Sequence, residues 1–216
     1  MSDSTNDDSA DLTDPDQLFW TAVIFESSLG LTAIGLGAWL GPDARDLLPQ
    51  WSAEAATSMV RSVGLGVAAA LPMVAMVAAI RRIPHPAVRR LEELGDEAAF
   101  QAVTRLGVAE MFAVSACAGV GEELLFRGWL LPAMLTWTPS DMPRLLAVGL
   151  ALVGSSVAFG LVHPITKLYA VMATIFGLYL GGLMLWTDDL ILPIVAHAVY
   201  DWIQMLLARR EATRSP

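Results

Sequence analysis

The chain has 216 residues, of which 55% are hydrophobic and only 16% charged, and its mean hydropathy is +0.55. An ordinary soluble domain carries about 25% charged residues, so the composition excludes that class and predicts an all-α, polytopic transmembrane helix bundle. A net charge of −9 excludes a basic phosphate-binding face, and with it a nucleic-acid partner, while the single Cys117 excludes an intramolecular disulfide.

Residues 1–17 hold six Asp and neither Lys nor Arg, which predicts a disordered acidic tail. No basic segment of the signal-peptide type precedes the first apolar run, so that run is expected to stay attached as a membrane helix. It extends from about Leu18 to Leu40, long enough to cross a hydrocarbon core of roughly 30 Å. Trp20 and Trp39 stand near its ends, as interfacial aromatics do. Glu26 lies inside the run. It either reaches the polar centre of the bundle or pairs with another helix; no motif surrounds it, which favours pairing.

Gly41-Pro42 ends this helix, and residues 43–58 read as a polar loop. A second span covers about Met59 to Ile80 and stops at Arg81-Arg82, with Pro84 and Pro86 as breakers. Residues 87–105 read as a surface helix, with Val88, Leu91 and Ala98 toward the headgroups, or as a plain connecting helix. Residues 18–105 thus form an N-terminal unit of two membrane helices and one surface helix.

The third span starts near Leu106, with Glu110 at an interfacial position, and carries Gly121-Glu122-Glu123-Leu124-Leu125-Phe126-Arg127-Gly128 toward its outer end. Two adjacent carboxylates and an arginine at such depth are costly, so they are expected to face the bundle interior and to mark function. On a helix Glu123 and Arg127 are i,i+4 neighbours and can pair. Glu122 then points about a quarter-turn away, free for other chemistry. Residues 128–144 are apolar but interrupted by Pro132, Pro139 and Pro143, which predicts a short re-entrant or interfacial piece.

The fourth span, about Leu145 to Val162, ends in Phe159-Gly160-Leu161-Val162-His163-Pro164, where Phe159 and His163 share a face. The fifth, about Leu168 to Trp186, holds Gly177 and Gly181, a small-xxx-small pair for close helix packing. The sixth, about Leu190 to Leu207, holds His197 and Asp201, again i,i+4. Residues 106–208 form the C-terminal core, and 209–216 a basic tail. With both termini cytoplasmic, nine basic residues fall inside (Arg81, Arg82, Arg89, Arg90, Arg105, Lys167, Arg209, Arg210 and Arg214) and four fall outside or within spans (Arg45, Arg61, Arg127 and Arg144). This arrangement sets Glu122 near the outer end of its helix and His163 near the inner end of its own. Their meeting requires a deep cavity, a break near Gly119–Gly121, or different helix boundaries.

Three polar clusters therefore sit on separate apolar segments: Glu122/Glu123/Arg127, His163, and His197/Asp201. As isolated packing groups each would bear its own desolvation cost. Two hydrolytic mechanisms fit. In one, His163, His197 and the carboxylates of Glu122 or Asp201 hold a divalent metal such as zinc, with an open position for an activated water. In the other there is no metal: Glu122 is general base to a water that His163 positions, and His197 stabilises the oxyanion. A third reading makes the clusters structural glue in a membrane scaffold or immunity protein.

The motifs Glu122-Glu123-x-x-x-Arg127, Phe159-x-x-x-His163 and His197-x-x-x-Asp201, in this order on apolar segments, resemble those of the CAAX protease and bacteriocin-processing family, also called Abi. The stretches from Phe159 to Tyr169 and from Leu190 to His197 are also similar to its bacterial members. The resemblance covers about residues 106–208. It implies an intramembrane endopeptidase, of the bacterial plasma membrane, acting on a membrane-associated protein or peptide. Glu122 and His163 would activate water, His197 and its partner would form the oxyanion site, and Glu123 and Arg127 would organise it. Position 201 departs from the family pattern. Many members have Asn there, whose amide can donate to an oxyanion; an ionised Asp repels one. Asp201 is therefore expected to be protonated, to orient His197, or to bind metal.

Overall fold

The computed structural model describes residues 14–49, 52–93 and 98–214, which form helices and connecting loops with no strand among them. Helix α1 spans Pro15–Leu40 and α2 spans Ala53–Ile80. Two short helices follow, α3 (Pro86–Glu93) and α4 (Ala98–Arg105). Next come α5 (Val108–Glu123), a π-helical segment (Leu124–Leu130) and α6 (Leu131–Thr136), joined without a loop. The bundle is completed by α7 (Arg144–Leu161), α8 (Lys167–Thr187) and α9 (Ile191–Ala212). Five helices (α1, α2, α7, α8 and α9) are long and apolar enough to cross a membrane. The run 108–136, continuous across its π segment, supplies the sixth.

Local chemistry sets the helix starts. Asp14 caps α1, its carboxylate accepting from the Asp16 N–H at 2.9 Å, with Pro15 at the first helical position. The last residues of the acidic tail are thus part of a helix start, while the rest of that tail, residues 1–13, lies outside the described residues. Glu110 reaches back to accept the Gly107 N–H at 2.6 Å and caps α5 from within its first turn. Thr166 caps α8 through the Tyr169 N–H at 3.0 Å. In the loop after α1, Arg45 hydrogen-bonds Asp43 at 2.9 and 2.7 Å and holds that carboxyl down at about 2.

Three expectations need correction. The surface helix over 87–105 is two helices, and residues 94–97 between them lie outside the described residues. Residues 128–136 are not a separate re-entrant piece but the continuation of the third span. Pro132 does not break it, because it falls in the first turn of α6, where a missing N–H is tolerated. The Leu131 N–H bonds to the Phe126 carbonyl in the wider π pattern. This lengthening moves Glu122 from the outer end of its helix to near the middle of the 108–136 run. Lastly, Arg209 and Arg210 are helical, in the last turn of α9.

Helix α9 is central, packing broadly on α2 and α5; α1 packs on α5, and α7 on α8. Glycine makes the tightest of these approaches possible. A Cβ at Gly119 would lie 2.8 Å from the Ile194 carbonyl oxygen and 2.9 Å from the Ala198 Cβ of α9. Two residues on, a Cβ at Gly121 would collide with the Glu26 carbonyl of α1. The residues flanking Glu122 thus wedge α5 between α9 and α1. Gly177 meets Ser156 of α7, where a Cβ would come 3.0 Å from the Ser156 Cα, and Gly181 meets Leu152, so the small-residue pair serves α7–α8 packing as expected. Large apolar side chains remain on the outer surface, among them Leu145 at 86% and Trp39 at 83% exposure, as a lipid-facing surface requires.

Candidate active site

Glu122 and Glu123 end α5, and Arg127 lies one turn on in the π segment. All three are buried, Glu123 at 0% and Arg127 at 1% exposure. Arg127 Nη1 donates to Glu123 Oε1 at 2.6 Å, the expected i,i+4 pair. The guanidinium also lies 4.4 Å from the centroid of the Phe159 ring, a cation–π contact. A charge at this depth is tolerable only when paired and hydrogen-bonded, and Glu123 supplies that pairing.

Glu123 Oε1 accepts a second hydrogen bond, from His197 Nδ1 at 2.8 Å. A carboxylate only accepts, so the His197 proton on this side is Nδ1–H. Nε2 is therefore the nitrogen turned to the remaining groups. It lies 3.8 Å from Glu122 Oε2 and 3.4 Å from Asp201 Oδ2.

His163 follows the C-terminus of α7 at Val162. The helix ends there ahead of Pro164, and the imidazole Nδ1–H takes one freed carbonyl, that of Phe159, at 2.7 Å. Its Nε2 points the other way and lies 3.7 Å from Glu122 Oε1. The two imidazoles thus address one carboxylate, each with Nε2, each held by its Nδ1. The Phe159 ring is the floor beneath them: its centroid lies 4.7 Å from that of His163, 6.0 Å from that of His197 and 5.0 Å from that of Phe126.

All six predicted residues, Glu122, Glu123, Arg127, His163, His197 and Asp201, therefore come together. The difficulty of depth is resolved by different helix boundaries rather than by a break at Gly119–Gly121: α5 is unbroken there and longer beyond. Glu123 holds the Nδ1 side of His197, and Asp201 stands at the same Nε2 that faces Glu122.

The expectation that Glu26 pairs with another helix is also corrected. Glu26 of α1 forms no ion pair among the described residues; its Oε2 is buried without a hydrogen bond, and its carboxyl feels the charges of Glu122, Asp201, His197 and His163. It faces the polar centre. The signal is a lone carboxylate in an apolar helix, and only the neighbouring glycines reveal where that helix docks. Sequence reasoning likewise assigns no role to Tyr169 and Tyr200; they line, with Phe159, His163, His197 and Asp201, a cavity of about 40 Å³ at the cluster.

Zinc would have to be held by Glu122, His163, His197 and Asp201. These are suitable donor types, but among the described residues no three His, Cys, Asp or Glu side chains are gathered as a metal-binding group.

Residues 104–203, just under half of the chain, match a family model described as Type II CAAX prenyl endopeptidase Rce1-like. The match spans all three motifs and bears out the resemblance drawn from them. No curated protein and no solved structure matches the chain.

Proposed function

From the premise that residues 104–203 are Rce1-like, we propose that the protein hydrolyses a peptide bond in a membrane-associated protein or peptide, using a water activated by Glu122 and positioned by His163. At the level of the family this is a CAAX-type intramembrane endopeptidase. The carrying observation is the Glu122 carboxylate flanked by His163 Nε2 at 3.7 Å and His197 Nε2 at 3.8 Å. These separations are too long for direct hydrogen bonds and suit groups that share a water.

The roles follow from proton inventory. Glu122, a carboxylate with no hydrogen bond at Oε2, accepts the proton of the attacking water. His163, whose Nδ1–H is committed to Phe159, offers Nε2 to the same water and aims it. His197, held by Glu123, presents Nε2 where negative charge develops on the carbonyl oxygen; as imidazolium it donates there. Glu123 and Arg127 hold His197 in place and do not react. Glu122 then returns its proton to the departing nitrogen. If zinc were bound, Glu122, His163, His197 and Asp201 would hold it and it would supply Lewis-acid activation of water. We adopt the metal-free route, in which Glu122 itself takes the proton of the water. Placement in a bacterial plasma membrane with both termini cytoplasmic is part of the same proposal.

The test is quantitative profiling of peptide N-termini in host membranes, with wild type and Glu122→Gln at matched levels. New N-termini that vanish with Glu122→Gln support the endopeptidase and name its substrates. Unchanged profiles with a folded, inserted variant overturn it in favour of a scaffold or immunity protein. Activity that survives exhaustive chelation supports the metal-free route.

A further inference from the structure

At one end of the bundle a few polar contacts tie α2, α3 and α9 to the link between α4 and α5. Arg81, just past α2, donates from Nη1 and Nη2 to the Glu211 carboxylate of α9, each at 2.8 Å. Its Nε lies 4.0 Å from Glu92 of α3. Arg209 of α9 donates from Nη1 to the Leu106 carbonyl at 3.1 Å.

Five further arginines surround this junction. Arg82 follows Arg81, Arg89 and Arg90 precede Glu92 on α3, Arg105 ends α4 beside Leu106, and Arg210 stands between Arg209 and Glu211. All five are exposed. Among the described residues none of their side chains forms an ion pair or a hydrogen bond. The chain as a whole has a net charge of −9, yet here these five guanidiniums, with Arg81 and Arg209, outnumber Glu92, Glu93 and Glu211. Asp96 and Glu97, between α3 and α4, do not reverse the balance.

The depth of the junction says which anion it suits. The apolar runs of α2 and α9 end there and that of α5 begins there, so the guanidiniums lie at the level where a bilayer carries its phosphates. Ile83, next to Arg82, and Val108, three residues past Arg105, remain 53% and 48% exposed. Apolar side chains beside unpaired guanidiniums match an amphiphile better than a soluble anion. The planar guanidinium also fits two phosphate oxygens at once.

We propose that this face is a docking surface for anionic phospholipids. The five guanidiniums hold headgroup phosphates, and Ile83 and Val108 meet the upper part of the acyl chains. Helices α3 and α4 have eight residues each, a length that is marginal without outside support. Phosphates bound across the junction fasten both to the ends of α2 and α9, so the lipid stabilises the folded chain. The inference uses no residue of the Glu122 cluster and stands whether or not the endopeptidase reading does.

The test takes the full chain in maltoside micelles and titrates it with dioleoyl-phosphatidylglycerol or dioleoyl-phosphatidylcholine, following the thermal midpoint. Equal acyl chains isolate the headgroup. Phosphatidylglycerol should raise the midpoint and reach half of its effect at a concentration at least about 25-fold below that of phosphatidylcholine. Arg89→Gln/Arg90→Gln should lose most of that preference, about 5-fold for each guanidinium. Arg144→Gln, exposed at the start of α7 and outside the junction, should keep it. Arg82→Gln/Arg105→Gln probes the same surface from α2 and α4 and decides the matter if the first pair does not fold. Equal potency of the two lipids, or an unchanged preference in the double variants, overturns the proposal. Equal stabilisation by glycerophosphoglycerol, the headgroup without acyl chains, assigns the surface to a soluble phosphate and overturns it as well. So does a phosphatidylglycerol effect that appears only after Asp3, Asp7, Asp8 and Asp11 are changed to Asn, which would make residues 1–13 the occupant.

Discussion

Glu123 carries two obligations at once, to Arg127 and to His197. Glu123→Gln should therefore fail in two ways. It leaves the Arg127 charge buried without its counter-ion, a loss of about 3–5 kcal/mol, and it allows the His197 ring to turn. Unfolding of the purified variant in mixed micelles measures the first effect. Glu122→Gln removes a base but no partner of Arg127, so it should keep near wild-type stability while cleavage falls by at least about 100-fold. Equal stability losses for both would mean that Glu123 does not carry the pair. Glu26 gives the opposite expectation. Its Oε2 is buried without a hydrogen bond, and its neighbours are two carboxylates and two imidazoles. Glu26→Gln should thus stabilise the protein, by about 1 kcal/mol, chiefly by removing a carboxylate buried without full solvation and secondarily by easing repulsion from Glu122 and Asp201; a lower thermal midpoint would show that Glu26 has a structural partner.

At the scale of elements, close helix approach is decided by single hydrogens. A side chain at Gly177 meets the Ser156 backbone of α7, which cannot swing aside. Gly177→Leu should cost about 1–3 kcal/mol through overpacking and loosen α7, which carries His163 at its end. A Cβ at Gly35 of α1 would meet nothing within 4 Å, so Gly35→Ala should be neutral or stabilise by up to about 1 kcal/mol. Thermal midpoints of the two variants check both. The π segment is the other decisive element. It lets the helix bearing Glu122 and Glu123 run on past Pro132, and π turns of this kind occur often at functional sites.

For the whole molecule, an even number of crossings brings both termini to one side. In a Cys117→Ser background, single cysteines at Ser140, in the loop after α6, and at Thr213, at the end of α9, are both exposed. They should react with impermeant maleimide from opposite faces of sealed vesicles, Thr213 from the cytoplasmic side. Labelling of both from one face would overturn the six-crossing arrangement. The orientation that puts nine of the thirteen basic residues on the cytoplasmic side is the one this labelling tests.

The apolar runs that become α1, α2, α7, α8 and α9 could be read directly, because the length and hydrophobicity of a span are properties of the chain alone. The pairing of Glu123 with Arg127 was equally legible, since i,i+4 spacing places both on one helix face. The position of Glu122 between two imidazoles was not. It depends on the helix continuing through Leu124–Leu130 and on where α9 and α1 meet Gly119 and Gly121, and apolar composition leaves such register undetermined. The place of Asp201, beside His163 and Tyr169 at the cluster, was decided by tertiary structure for the same reason: hydrophobicity drives helices together without direction, and close packing selects which side chains then face one another.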